Sequence, residues 1–211
     1  MGNIKSWGLY AIVGQWVTEP GGMDRVRLVL QGGASTVQLR VKDMSTRDMV
    51  ALAIALDKIV REYDARFIVN DRLDVALAAG ADGVHLGETD LPVHMARAIG
   101  GPGLLIGAST GNPCAARHLE TEGADYLGVG PVFPTISKPD TRPVIGIQGL
   151  KRVVDAAGIP VVAIGGIDQA NIEDVVGTGA AGAAVISALF DNADPGSASA
   201  SLARHFGEQL G

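Results

Sequence analysis

Short apolar runs alternate with longer amphipathic stretches along the whole chain. The runs are rich in Val and Ile and most end at glycine or a polar residue, as buried strands do. They predict eight strands, at residues 9–13, 36–40, 67–69, 83–86, 104–108, 126–129, 161–164 and 182–186.

The stretches between these runs space their apolar residues three or four positions apart, which predicts helices. They cover residues 23–31, a helix capped by Ser45, residues 73–79, 92–99, 113–122, 147–157 and 171–176, and a last helix that ends the chain. Asp71 directly precedes the helix at 73–79, so a role as its N-cap is the simplest interpretation of that carboxylate.

A Gly-Ala pair stands just before every second strand. The pairs are Gly33-Ala34, Gly80-Ala81, Gly123-Ala124 and Gly179-Ala180. A helix that ends in glycine and turns tightly into the next strand explains each pair, and the spacing suggests a two-strand module used four times. Eight alternating pairs predict an α/β fold, a single (β/α)₈ TIM barrel over residues 1–211. The alternative is an open doubly wound sheet.

Polar side chains follow the second strand, where a barrel of this kind carries its active site. Gln38, Arg40 and Lys42 lie two positions apart, so their side chains point the same way, while Val37, Leu39 and Val41 point toward the helices. Two cations at the mouth of a barrel predict an anion-binding site. Surface salt bridges are the competing explanation.

Two carboxylates follow the third and fourth strands. Asp71 and Asp90 would meet at the same end of the barrel, beside the cations. They either form ion pairs or bind Mg²⁺, which favours a few carboxylates together with substrate phosphates. His85, on the fourth strand, is more readily explained as a buried core residue than as a ligand.

A second anion site is indicated by the later strands. The fifth ends at Ser109, and the sixth is followed by a loop to Gly146 that contains Thr135, Ser137 and Lys138. Such a long loop in a compact barrel predicts a functional segment such as a lid. Gly166 after the seventh strand and Ile186-Ser187 after the eighth match the usual phosphate site of these barrels.

Composition excludes several classes of protein. With a net charge of -6 and 4% aromatic residues, the chain lacks the basic surface of a nucleic-acid binder. No apolar run is long enough to span a membrane. Cys114 is the only cysteine, so no intramolecular disulfide can form, which suits the cytoplasm. We therefore expect a cytoplasmic enzyme of small molecules, and a homo-oligomer remains open.

These motifs, in this order, resemble the thiamine-phosphate synthases over nearly the whole chain. The resemblance rests on residues 37–42, 69–72, 80–87 with Asp90, 123–126, 128–135, 163–167 and 185–187. Tyr10 fits the family's first strand, but Gly14-Gln15 stands where many members have Thr-Asp. The roles of Tyr10 and His85 around the pyrimidine ring are left open.

The resemblance implies a transferase that joins hydroxymethylpyrimidine diphosphate to hydroxyethylthiazole phosphate, giving thiamine phosphate and pyrophosphate. It assigns Mg²⁺ to Asp71 and Asp90, and catalysis to Arg40, Lys42 and Lys138. The pyrimidine diphosphate would contact Gln38, Arg40, Lys42, Asn70, Ser109 and Lys138. The thiazole phosphate would contact Thr135, Ser137, Gly166, Ile186 and Ser187.

Three other functions compete with this one. A related thiazole tautomerase would need no diphosphate site, so the basic strand, both aspartates and Lys138 argue against it. A sugar-phosphate epimerase or isomerase on the same fold is the second. A non-catalytic sensor of thiamine intermediates is the third, and binding without turnover would favour it.

Overall fold

The computed structural model describes residues 7–135 and 143–207. Within them, eight parallel strands pair in chain order, and the eighth pairs back with the first, so the sheet is a closed barrel. The predicted (β/α)₈ barrel is therefore confirmed, and the open doubly wound sheet is wrong.

Each predicted strand is present, with ends that differ by at most two residues. The strands are β1 (Gly8–Val13), β2 (Thr36–Leu39), β3 (Arg66–Asn70), β4 (Gly83–Leu86), β5 (Leu105–Thr110), β6 (Tyr126–Val129), β7 (Val161–Ile164) and β8 (Gly182–Val185).

The helices cover the outside of this barrel. They are α1 (Gly22–Gln31), α2 (Thr46–Arg61), α3 (Leu73–Ala79), α4 (Val93–Gly100), α5 (Pro113–Thr121), α6 (Gly146–Ala156), α7 (Ile172–Gly177), α8 (Ser187–Phe190) and α9 (Pro195–Gly207). A 3₁₀ turn, Gln15–Thr18, precedes α1. The single last helix expected after β8 is wrong, because the short helix α8 comes first and α9 follows it. Among the residues described, no helix has the length and apolar character needed to cross a membrane.

Alternate residues of the strands belong to two separate apolar clusters. Val37, Leu39 and Val41 pack in the larger cluster, between the strands and the helices. A smaller cluster fills the barrel interior and includes Trp7 and Tyr126, both fully buried. The side chain of Gln38 is also buried, as the alternation predicts.

The Gly-Ala pairs end helices as expected. Gly33, Gly80, Gly123 and Gly179 all have positive φ, between 71° and 102°, which glycine adopts without steric cost. In three of the four, the following alanine N–H donates back into the preceding helix, at 3.0–3.3 Å. This is the hydrogen-bond pattern of a left-handed helix terminus.

Two arginines brace the amino-terminal end of the barrel. Arg97 of α4 donates to the carbonyl oxygens of Gly101, Leu104 and Gly123 and to the carboxylate of Asp125. Asp125 in turn accepts from the Ile106 N–H of β5, at 2.7 Å.

The same arrangement recurs two strands earlier. Arg61 of α2 donates to Asp57 and to the Gly80 carbonyl oxygen, and lies 3.9 Å from the carboxylate of Asp82. Asp82 accepts from the Phe67 N–H of β3, at 2.8 Å. The two-strand module inferred from the Gly-Ala pairs therefore extends to side-chain contacts.

Candidate active site

A cavity of about 910 Å³, including its open mouth, lies at the carboxyl ends of the strands. Polar side chains from several strands and apolar ones from β1, β7 and β8 line it. The lining residues are Tyr10, Ile12, Gln38, Arg40, Asn70, His85, Ser109, Tyr126, Gly128, Pro131, Thr135, Val162, Ile164, Gly165, Gly166, Ile167, Ala184, Val185, Ile186 and Ser187.

Most of the site residues predicted from the sequence are among them. Gln38, Arg40, Asn70 and Ser109 line one side of the cavity. Lys42 is exposed and lies outside the cavity wall, but its charge reaches Asp71 and lowers the pKa of that carboxyl. Thus β2 and the residues after it supply cations to both the cavity and the carboxylates.

The backbone after β3 holds Asp71 in an unusual conformation. Asp71 has φ +63°, a left-handed value that a residue with a side chain rarely adopts. Its N–H donates to the His85 carbonyl oxygen of β4, at 2.8 Å. The N-cap of α3 is Arg72, which makes no side-chain capping bond, so interpreting Asp71 as the N-cap is wrong.

The carboxylates of Asp71 and Asp90 come together, as expected. Burial and the neighbouring Asp90 together raise the pKa of Asp71 to about 6, against the opposing effect of Arg40 and Lys42. Asp90 is anchored by the Gly87 N–H, which donates to its Oδ2 at 2.7 Å. Two adjacent, partly buried carboxylates carry excess negative charge that a proton or a cation would relieve.

The chemistry of this pair fits Mg²⁺. Among the described residues, no group of three or more His, Cys, Asp or Glu side chains could hold a metal ion alone. Mg²⁺ does not need such a cage, because it commonly binds one or two carboxylates together with substrate phosphates and water.

The opposite wall of the cavity is formed by residues at the ends of β7 and β8. Gly166, Ile186 and Ser187 line it, and Ser187 begins the short helix α8. A phosphate site in barrels of this class often combines the loops after the last two strands with a short extra helix. The Asn171 side chain steadies this wall, since its Nδ2 donates to the Gly166 carbonyl oxygen at 2.8 Å.

The loop after β6 crosses directly over the end of β7. Val132 N–H donates to the Ile164 carbonyl oxygen and Phe133 N–H to that of Gly165, at 2.9 and 3.0 Å. A Cβ on Gly165 would lie 2.7 Å from Pro131 Cα, and one on Gly166 would lie 2.5 Å from the Pro134 carbonyl oxygen. The two glycines are therefore needed for this close approach as well as for their positive φ.

The far end of this loop returns to the same place. Ile145 N–H donates to the Pro131 carbonyl oxygen at 2.9 Å, and Gly146 N–H to that of Val132 at 3.1 Å. Thr135 lines the cavity, whereas Ser137 and Lys138 lie outside the described residues.

Tyr126 lines the cavity but was not among the site residues predicted from the sequence. It is fully buried, and its hydroxyl lies 2.9 Å from that of Tyr10 and 3.1 Å from Nδ1 of His85. Two nearby glycines, Gly107 of β5 and Gly128 of β6, are the sequence feature that could have indicated it. A Cβ on Gly107 would lie 2.1 Å from the Tyr126 ring, and one on Gly128 would lie 2.7 Å from His85 Cε1. Glycine at an inward-facing strand position can indicate that a large side chain crosses from the next strand.

A closed parallel barrel, with cations at one edge of its mouth and glycine-rich backbone at the other, defines a phosphate-handling (β/α)₈ enzyme. Residues 9–189 match the family model described as thiamine monophosphate synthase. The chain belongs to this family.

Individual relatives agree with this membership. The chain is 51% identical to the thiamine-phosphate synthase of Methanoculleus marisnigri over 179 residues, 85% of each protein. It is 48% identical to that of Pyrococcus abyssi, covering 88% of this chain and 89% of that one. The solved thiamine phosphate pyrophosphorylase from Pyrococcus furiosus superposes with a TM-score of 0.88 at 44% identity, over 99% of both chains.

Proposed function

We propose that this chain is a thiamine-phosphate synthase, which joins hydroxymethylpyrimidine diphosphate to hydroxyethylthiazole phosphate and releases pyrophosphate. The observation that carries the proposal is one cavity with two edges of unlike chemistry. One edge offers the side chains after β2, and the other offers backbone after β7 and β8. A reaction between two phosphorylated substrates needs both edges. The names of the close relatives point to the same activity.

The diphosphate of the pyrimidine substrate binds at the β2 edge. Its high negative charge needs cations, which Arg40 and Lys42 provide. Gln38, Asn70 and Ser109 line the same part of the cavity and contact the pyrimidine diphosphate. Lys138 adds a further cation, as the resemblance to the family implies.

The thiazole phosphate binds at the opposite edge. Gly166, Ile186 and Ser187 line the cavity there. Their backbone N–H groups would bind the phosphate, as in other phosphate sites of this fold. Thr135 contributes a hydroxyl from the loop after β6. Ser137, in the same loop, contributes another, as the family resemblance implies. One singly phosphorylated group suits a site made mainly of backbone donors.

Mg²⁺ bound at Asp71 and Asp90 would neutralise charge on the diphosphate and on the departing pyrophosphate. The proximity of these two carboxylates to each other, and to Arg40 and Lys42, supports that assignment.

The chemical step requires the protein to stabilise charge and to align the two substrates, more than to supply an acid or a base. The C–O bond between the pyrimidine methylene and the diphosphate breaks, and the electron-rich aminopyrimidine carries the positive charge. The thiazole nitrogen then donates its electron pair to that methylene carbon. Arg40, Lys42 and Lys138 stabilise the departing negative charge. Apolar walls from Ile12, Val162 and Ile164 limit the water that would otherwise capture the cation.

One assay separates this function from its competitors. Purified protein is given both substrates with Mg²⁺, and formation of thiamine phosphate and pyrophosphate is followed together. A synthase yields the two products in equal amounts. Product from the thiazole substrate alone would indicate a tautomerase instead. Tight binding of either substrate without turnover would indicate a sensor.

A further inference from the structure

Five polar side chains form a continuous chain of hydrogen bonds through the barrel interior. In order they are Gln38, Tyr10, Tyr126, His85 and Ser109, which come from β2, β1, β6, β4 and β5. The successive distances between their polar atoms are 2.7, 2.9, 3.1 and 2.9 Å. The two ends, Gln38 and Ser109, are assigned above to the pyrimidine substrate. The three residues between them have no assigned role.

The number of protons on each group determines which atom donates in each hydrogen bond, starting from Gln38. The amide nitrogen Nε2 of Gln38 can only donate, so the hydroxyl of Tyr10 accepts from it. The single proton of Tyr10 then goes to the Tyr126 hydroxyl, its other partner among the described residues. Burial raises the pKa of both phenols, so each keeps its proton and remains a donor.

The same counting fixes the imidazole of His85. Tyr126 accepts from Tyr10, so its own proton is donated to Nδ1 of His85. The ring proton of His85 therefore lies on Nε2, which donates to Ser109 Oγ at 2.9 Å. Ser109 has then accepted a hydrogen bond, and its hydroxyl proton is available to the cavity that it lines.

The two ends of the hydrogen-bond chain thus present defined groups to the cavity. Gln38 uses one of its two amide N–H groups on Tyr10 and keeps its carbonyl oxygen as an acceptor, together with its second N–H. Ser109 keeps a donor. If the Gln38 amide were turned over, every hydrogen bond in the chain would reverse, so that Gln38 would present its NH₂ group and Ser109 an acceptor.

We propose that Tyr10, Tyr126 and His85 are positioning residues that fix an acceptor at Gln38 and a donor at Ser109, and so select an aminopyrimidine. The inference rests on the proposed function. An aminopyrimidine presents an N–H donor at its amino group and a ring-nitrogen acceptor on the opposite side of the ring. A 4-oxo ring presents an acceptor where the amino donor stood, and it leaves buried polar groups mismatched.

The first test measures the His85 tautomer in the metal-free protein without substrate. Nitrogen-15 NMR distinguishes protonated from unprotonated ring nitrogens, and the His85 signals are those lost in His85→Gln. We expect wild type to carry the proton on Nε2. Tyr126→Phe should mix the two tautomers. Gln38→Met should do the same, although it lies three hydrogen bonds away from the ring.

Thr36→Val is the matched control. Thr36 is fully buried on β2 and pairs in register with Tyr10, yet its hydroxyl has no hydrogen-bond partner among the described residues. Removing this hydroxyl should leave the tautomer as in wild type. A proton on Nδ1 in wild type overturns the proposal. So does an Nε2 tautomer that persists in both Tyr126→Phe and Gln38→Met.

The second test measures selectivity. We compare kcat/KM for hydroxymethylpyrimidine diphosphate with kcat/KM for its 4-oxo analogue. Loss of one net hydrogen bond corresponds to about a tenfold change, so Tyr126→Phe should lower the preference for the amino substrate by about that factor. The change should appear mainly in KM, and Thr36→Val should show none.

The outcomes of these tests distinguish failure of the positioning role from failure of the proposed function. An unchanged preference in folded Tyr126→Phe overturns the positioning role, even if wild type makes thiamine phosphate. Wild type that makes no thiamine phosphate overturns the proposed function, and the tautomer measurement then still reports whether the hydrogen-bond chain has the stated direction.

Discussion

Asp71 combines a strained backbone with a carboxyl whose proton affinity is raised. Neither property was visible in the sequence, which offered the ordinary interpretation of a helix cap. The pKa of Asp71 is about 6 in the folded chain because the carboxyl is partly buried and faces Asp90. A sequence shows that two carboxylates follow neighbouring strands, but the distance between them depends on how each loop leaves its strand.

Replacing this carboxyl should change how stability depends on pH. In the unfolded chain Asp71 has an ordinary pKa of about 4, so between about pH 4 and 6 the folded chain binds more protons than the unfolded chain. The free energy of unfolding therefore falls as the pH rises through that window, and Asp71→Asn should reduce this fall. Thermal unfolding in EDTA from pH 4 to 8 measures it, with the exposed Asp174→Asn as control. Equal slopes in wild type and Asp71→Asn would contradict the assignment.

The same substitution should separate stability from activity. Asp71→Asn and Asp90→Asn should each lower turnover by more than about tenfold, because the proposed Mg²⁺ site would lose a charged ligand. Circular dichroism checks that both variants fold. Full wild-type activity in excess EDTA would show that neither carboxylate works through Mg²⁺.

At the scale of single elements, the sequence predicted the strands and the longer helices but missed the shortest helix. All eight strands were found, because apolar runs between glycine and polar residues are distinctive. The four-residue helix α8 was missed, since so short a stretch has no periodicity to detect. Tyr126 was missed for another reason: its partners Tyr10 and His85 come from distant positions in the chain.

The arginine braces should matter for stability and leave catalysis unchanged. Arg97→Ala removes hydrogen bonds to three carbonyl oxygens and a carboxylate, at the end of the barrel away from the cavity. We expect the free energy of unfolding to fall by about 2–4 kcal/mol, measured by urea denaturation, with kcat/KM within about twofold of wild type. Arg27→Ala, in an exposed pair with Asp24, should cost less than about 1 kcal/mol. A large loss of activity in folded Arg97→Ala would contradict the view that the amino-terminal end of the barrel serves stability and the other end serves catalysis.

At the scale of the whole molecule, the barrel brings two binding edges to one cavity from opposite halves of the chain. The sequence was sufficient to predict which strand ends meet there, because strand order in a closed barrel determines which strand ends are neighbours. It could not show that Lys42 stands outside the cavity wall, since the strand ends at Leu39 and alternation no longer governs the residues beyond it.

The two edges should be separable by mutation. Arg40→Ala should weaken binding of the pyrimidine diphosphate by about 10- to 100-fold and largely spare the thiazole phosphate. Asn171→Ala should do the opposite, raising the KM for thiazole phosphate about threefold or more, because it frees the Gly166 peptide. A substitution at Gly166 would be less specific, since its Cβ would strike Pro134.

Isothermal titration of each variant with each substrate makes the comparison. Asn112→Ala is the control for Asn171→Ala, because Asn112 caps α5 and does not line the cavity. If Arg40→Ala abolishes binding of the thiazole phosphate, or Asn171→Ala abolishes binding of the diphosphate, the division of the cavity is wrong.

The first and last residues of the loop after β6 are hydrogen-bonded to each other at its base. Pro131 and Val132 accept hydrogen bonds from Ile145 and Gly146, so the excursion begins and ends at one closed base. We expect this segment to behave as a cassette, whose length and composition can change without moving the strands that carry it. Replacing residues 134–144 by a Gly-Ser linker of equal length should leave the melting temperature within a few degrees of wild type and remove synthesis. The product would be a folded barrel that binds the pyrimidine substrate more weakly, since Lys138 is lost with the loop, and other loops could be transplanted into it.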